Sequence, residues 1–146
     1  MTNDNNPVIE KVVDLFAPGS LALAVTGSFA RGTNTPYSDL DIIRYIPSEM
    51  QSNVEPYRLH IIDKQLVSLT HTTFDKVAAD LKSPRLFFFV KPSLQQSIIL
   101  FDPDGMLADL IKSAETLHWS SLTEPAQAYI SSTLAGLVEE VTKLIT

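Results

Sequence analysis

Cysteine is absent from this 146-residue chain. That excludes a disulfide framework, a thiolate metal site and a cysteine nucleophile. Basic residues are scarce: 11 Lys and Arg stand against 17 Asp and Glu, for a net charge of −6. A broad positive surface for nucleic acid is therefore not expected, although a small local one is allowed. Long hydrophobic runs are missing too. None exceeds five residues, the length of Leu21–Val25 and of Leu86–Val90, the latter flanked by Arg85 and Lys91, far short of a membrane span. The opening "MTNDNNPVIEKVV" has neither the charged start nor the apolar stretch of a secretory signal. These absences set the expectation of a soluble cytoplasmic protein with no membrane partner and nucleic acid an improbable one. What remains is 45% hydrophobic, enough for one domain with a real core.

The punctuation of the chain predicts its elements. Asn6-Pro7 starts a helix with proline at the first position, its apolar face formed by Val8, Val12, Leu15 and Phe16, and Pro18-Gly19 ends it. "LALAV" (21–25) is a wholly apolar run suited to a buried strand, and "LDIIRYI" (40–46) is a second, closed by Pro47. "SEMQSN" reads as a loop. "YRLHII" and "QLVSLTHT" are strands joined at Asp63-Lys64 as a hairpin. Thr72-Thr73 can cap a helix through "FDKVAADLKS", and Pro84 opens a further helical piece. "SIILF" is a strand, "DPDG" a turn, and "MLADLIKSAETLH" an amphipathic helix. Trp119–Thr123 is the one plausible linker before a final helix opened by Thr123-Glu124-Pro125. The order implies a mixed sheet flanked by helices, α/β or α+β. Residues 1–118 read as the domain and 119–146 as a C-terminal helix. Its stripe of Leu134, Leu137, Val138, Val141, Leu144 and Ile145 requires a partner surface. That surface is the domain itself, a second subunit or a downstream helical region.

One segment carries more than a turn needs: "TGSFARGTNTPYSDLDI", Thr26–Ile42. Asp39 and Asp41, at i and i+2 of a predicted strand, share a face roughly 6.5–7 Å apart. Such a pair in a core is costly, and divalent cations relieve the repulsion. Mg²⁺ takes one or two carboxylates together with substrate phosphates, and paired metals assist displacement of pyrophosphate. Gly27 ends a buried strand and lets the backbone approach a ligand. Ser28 begins a short helix whose free N–H groups favour phosphate. Arg31 can place its planar donors on the same group. The loop "TNTPYS" returns Ser38-Asp39 towards Gly27-Ser28. Alone, Gly-Ser is ordinarily a turn and Asp-x-Asp a solvated strand edge. Together at this spacing they point to a nucleoside triphosphate site.

Through Gly27, Ser28, Arg31, Gly32, Ser38, Asp39 and Asp41 the segment resembles the nucleotidyltransferase motif of the DNA polymerase beta superfamily, which includes aminoglycoside and minimal nucleotidyltransferases. "SIILFDPDGMLADL" is similar to a segment common in bacterial nucleotidyltransferase-like proteins. The resemblance implies a polymerase-beta-type fold and transfer of a nucleoside monophosphate from NTP to an acceptor, with release of pyrophosphate. It implies two Mg²⁺ ions on Asp39 and Asp41, and β- and γ-phosphates on Gly27 and Ser28. It also implies a third carboxylate on a later strand. The candidate strand "QLVSLTHT" has none, and Ser68 stands at the third position. A catalytically weakened nucleotide-binding or regulatory module of the same fold is the alternative, with a purely structural domain behind it.

Other candidates are plainer. His60 and His71 flank the hairpin and read as partly buried, hydrogen-bonded residues, or as bases if close to the site. Phe87-Phe88-Phe89 reads as core. Lys82, Arg85 and Lys91 read as a solvated face, or secondarily as an acceptor cleft.

Overall fold

Proline locks φ near its helical value and has no N–H to lose in a first turn, so the chain enters α1 at Pro7 (Pro7–Phe16). The computed structural model describes residues 7–145, with side chains to residue 144. Asn6, Thr146 and the side chain of Ile145 thus lie outside the described residues. The further elements are β1 (Ala22–Val25), α2 (Gly27–Arg31), β2 (Leu40–Tyr45), a 3₁₀ helix at Ser48–Asn53, β3 (Tyr57–Ile62), β4 (Gln65–Thr72), α3 (Phe74–Asp80), α4 (Phe87–Gln95), β5 (Ile98–Phe101), α5 (Met106–Glu115), a 3₁₀ turn at Trp119–Leu122, and α6 (Thr123–Ile145).

The strands form one mixed sheet in the order β3-β4-β2-β1-β5. Only the β2–β4 pair is parallel. Side chains alternate across the sheet, and each face has its own core. On one face Leu23, Val25, Leu40, Ile42, Val67 and Leu69 pack against Val8 and Val12 of α1. On the other, Ala22, Ala24 and Tyr45 pack against Val77, Leu81, Leu94, Leu107 and Ala114 from α3, α4 and α5. Tyr45 lies stacked on Phe74, ring centroids 4.7 Å apart, and burial pushes its hydroxyl pKa up to about 12. The fold is the mixed α/β sheet with flanking helices that the element order predicts.

Local chemistry explains most boundaries. Asp63 and Lys64 both take positive φ, 49° and 68°, as a two-residue hairpin turn matched to strand twist requires. The Thr73 hydroxyl accepts the Lys76 N–H and caps α3. The Asp102 carboxylate of "DPDG" accepts the N–H groups of Leu107 and Ala108, so this turn also caps α5.

Four expectations are corrected. Ser48–Asn53 is a 3₁₀ helix and not a loop. The linker expected at Trp119–Thr123 is a 3₁₀ turn running directly into α6, with the Trp119 ring 4.4 Å from that of Phe88. Of the three phenylalanines only Phe87 is core, Phe88 and Phe89 being exposed; successive helical positions point about 100° apart, so one buried face cannot take all three. Lys91 is part of neither a solvated face nor a cleft: its ammonium donates to the Leu117 carbonyl and lies 5.6 Å from the centre of the Phe87 ring.

Candidate active site at the β1–α2 and β2–β4 junction

The site grows from one backbone decision. Gly27 has φ +65°, in the left-handed region. A Cβ built there would meet Asp41 Oδ2 at 2.1 Å, Cγ at 3.0 Å and Cβ at 3.3 Å. Glycine is thus required twice, for its dihedral and for the space the Asp41 side chain fills. The backbones are held together where this happens, since the Thr26 N–H donates to the Asp41 carbonyl at 2.9 Å.

Asp41 is fixed from the other side as well. Parallel pairing of β2 and β4 sets Ser68 level with Asp41, and the Ser68 hydroxyl donates to Asp41 Oδ1 at 2.5 Å. Ser68 is 4% exposed. One carboxylate oxygen therefore takes a hydroxyl and the other lies beside the Gly27 backbone. Leu40 and Ile42, on the opposite face, are buried in the α1 core and anchor the strand that carries it.

The α2 turn begins at Gly27, one residue before the expected start. Ser28 is inside it and is not its cap: the N-cap is Thr26, whose side chain makes no capping bond. Gly32 closes the turn in the left-handed conformation, and the Thr33 N–H donates to the Ser28 carbonyl. The N–H groups of the first turn have no acceptor within a helix of this kind. Asp39 sits one residue ahead of β2 and is partly exposed. Among the described residues neither the Asp39 carboxylate nor the Ser28 hydroxyl has a hydrogen-bond partner. Arg31 is exposed and likewise unpaired among them; the structure gives it no contact with either aspartate. Ser38 turns inward to its own loop, with Oγ accepting from the Thr35 N–H at 2.9 Å.

Gln65 was not signalled by any motif. Its Nε2 donates to the Ser38 carbonyl at 2.7 Å and ties the returning loop to the hairpin. The histidines are elsewhere. His71 is paired in register with Arg44 and so faces the side of the sheet away from Asp41. Its Nδ1 is 2.7 Å from the Glu55 carbonyl, and burial lowers its pKa. His60 rests on Phe16 and leaves a buried Nε2 without a partner, contrary to the expectation of a hydrogen-bonded ring. Asp63 is held by Lys11 of α1 at 2.5 Å. Neither Asp63 nor His71 supplies the missing carboxylate or base.

No group of three or more His, Cys, Asp or Glu able to hold a metal occurs among the described residues. The donor set of Asp39 and Asp41 fits one Mg²⁺ taken with nucleotide phosphates. It does not fit a second ion demanding a third carboxylate.

The nucleotidyltransferase domain family matches residues 7–100, a span that contains every one of these groups. This chain belongs to that family. No curated protein matches it. Among solved structures, a nucleotidyltransferase-like protein from Exiguobacterium sibiricum superposes with a TM-score of 0.56 at 15% identity, over 74% of this chain and 37% of that one. At that identity the likeness is one of fold, and this chain spans little more than a third of its neighbour's length. No helix among the described residues is long and apolar enough to cross a membrane.

Proposed function

We propose that this nucleotidyltransferase domain transfers a nucleoside monophosphate from an NTP to an acceptor hydroxyl or phosphate, releasing pyrophosphate in a Mg²⁺-dependent reaction. The observation that carries the reading is the clamped carboxylate: Asp41 held between the Gly27 backbone and the Ser68 hydroxyl, two residues after an unpartnered Asp39. In this reading Gly27 and Ser28 cradle the β- and γ-phosphates, Ser38 shapes the rim, and Arg31 reaches the phosphates once a nucleotide is present. Asp39 and Asp41 hold the Mg²⁺, which when bound neutralises phosphate charge and polarises the reacting phosphorus. The chain's own contribution is orientation of donors fixed before the substrate arrives.

Ser68 favours a second reading. A hydroxyl hydrogen-bonded to Asp41 carries no charge for a further metal and is a poor proton acceptor. The domain would then bind NTP and turn over slowly, or act as a nucleotide-binding regulatory module. One assay separates the two. NTP labelled at the α-phosphate is supplied with Mg²⁺ and pools of small molecules and proteins. Transfer predicts slow label incorporation matched by pyrophosphate release, both lost on chelation. Bound NTP with no pyrophosphate over many hours selects the regulatory module.

A further inference from the structure

The described part of α6 carries an apolar seam that its own domain does not cover. Ile130, Leu134, Leu137, Val141 and Leu144 are 54–85% exposed, and Val138 beside them is 66% exposed. Their spacing is 4, 3, 4, 3. That is the alternation of a and d positions in a heptad, which fits another helix and not a flat surface. The helix also needs such support. It spans 23 residues but includes Ser131-Ser132-Thr133 and Gly136, all weak helix formers, and helical stability comes mostly from packing.

We infer that this seam pairs with the same seam of a second copy of the chain. Self-pairing is chemically admissible. No charge lies on the seam. Glu140, which flanks it, is met within its own helix by Lys143 at 3.0 Å, as is Glu139 at 2.8 Å. Both carboxylates share the one lysine, so a single net negative charge stands beside the seam and none on it. The area suffices: six such side chains at roughly 60–120 Å² each give about 500 Å² per copy, and two copies reach the ~1,000 Å² that a specific interface requires. An anionic membrane surface is a poor occupant, because α6 carries three glutamates and one lysine.

Sedimentation equilibrium of the full chain between 5 and 200 μM (conditions of the test) is the measurement. The expected result is a reversible monomer–dimer equilibrium. Leu137→Asp raises its dissociation constant at least tenfold, while Ala135→Glu, off the seam, leaves it within twofold. Both positions are exposed, and circular dichroism checks that each variant folds. A wild type that stays monomeric throughout overturns the inference. So does a dimer that survives Leu137→Asp, or one that Ala135→Glu breaks equally.

Discussion

Replacing Gly27 by alanine is expected to lower the melting temperature by roughly 5–15 °C, from a loss of about 2–4 kcal/mol. Two causes add. An L-residue at φ +65° costs about 1–2 kcal/mol. The new methyl also cannot coexist with Asp41 Oδ2 at 2.1 Å, and the cheapest relief is rotation of the carboxylate. Rotation breaks the bond from Ser68, a hydrogen bond to a charged group worth about 1.5–3 kcal/mol. The two causes separate in a double-mutant cycle. In an Asp41→Ala background, Gly27→Ala should cost only the dihedral part, about 1–2 kcal/mol. A full-sized loss in that background would show that the Gly27–Asp41 packing is not what constrains the site.

Ser68→Asp is the second large effect. Ser68 is buried and level with the half-buried Asp41, so the variant sets a buried carboxylate directly beside a second one. Without metal the repulsion should destabilise the fold by about 1–3 kcal/mol. Mg²⁺ with NTP should restore the loss, and pyrophosphate release should rise by roughly 10²–10⁴-fold, the range general-base catalysis supplies. Pyrophosphate release in the wild type that is already fast, and unchanged or lower in Ser68→Asp, would mean the reaction needs no third carboxylate at this register.

The strands, the hairpin turn and the Gly27–Asp41 segment were legible because each is written locally. Apolar runs bounded by Gly and Pro make strands. The short loop announces a return of Ser38-Asp39 towards Gly27-Ser28; the contact the structure makes is between Asp41 and Gly27. Other features depend on register or on distant partners. That Ser68 hydrogen-bonds Asp41 follows from parallel pairing of β2 with β4, which is set by packing across the whole sheet. Gln65 holds Ser38 across 27 residues, and no spacing rule reaches that far. His71 looked available from composition, yet it lies three residues beyond Ser68 along β4, and an odd offset puts it on the opposite face. The exposure of Phe88 and Phe89 was hidden for a similar reason: a short apolar run does not say which of its positions a helix turns outward. The stripe on α6 was visible in the sequence; that its own sheet leaves it uncovered was not.

Isothermal titration of Mg²⁺–ATP tests the central claim, that Gly27, Ser28, Asp39 and Asp41 form one nucleotide cradle. The wild type should bind ATP in the presence of Mg²⁺, at least tenfold more weakly after chelation, and AMP should bind far more weakly than ATP. Asp39→Asn with Asp41→Asn should abolish the Mg²⁺-dependent heat while leaving the protein folded, since it removes a like-charge pair and adds no bulk. ATP binding of equal affinity in the double variant, or in the wild type with and without Mg²⁺, would contradict the account.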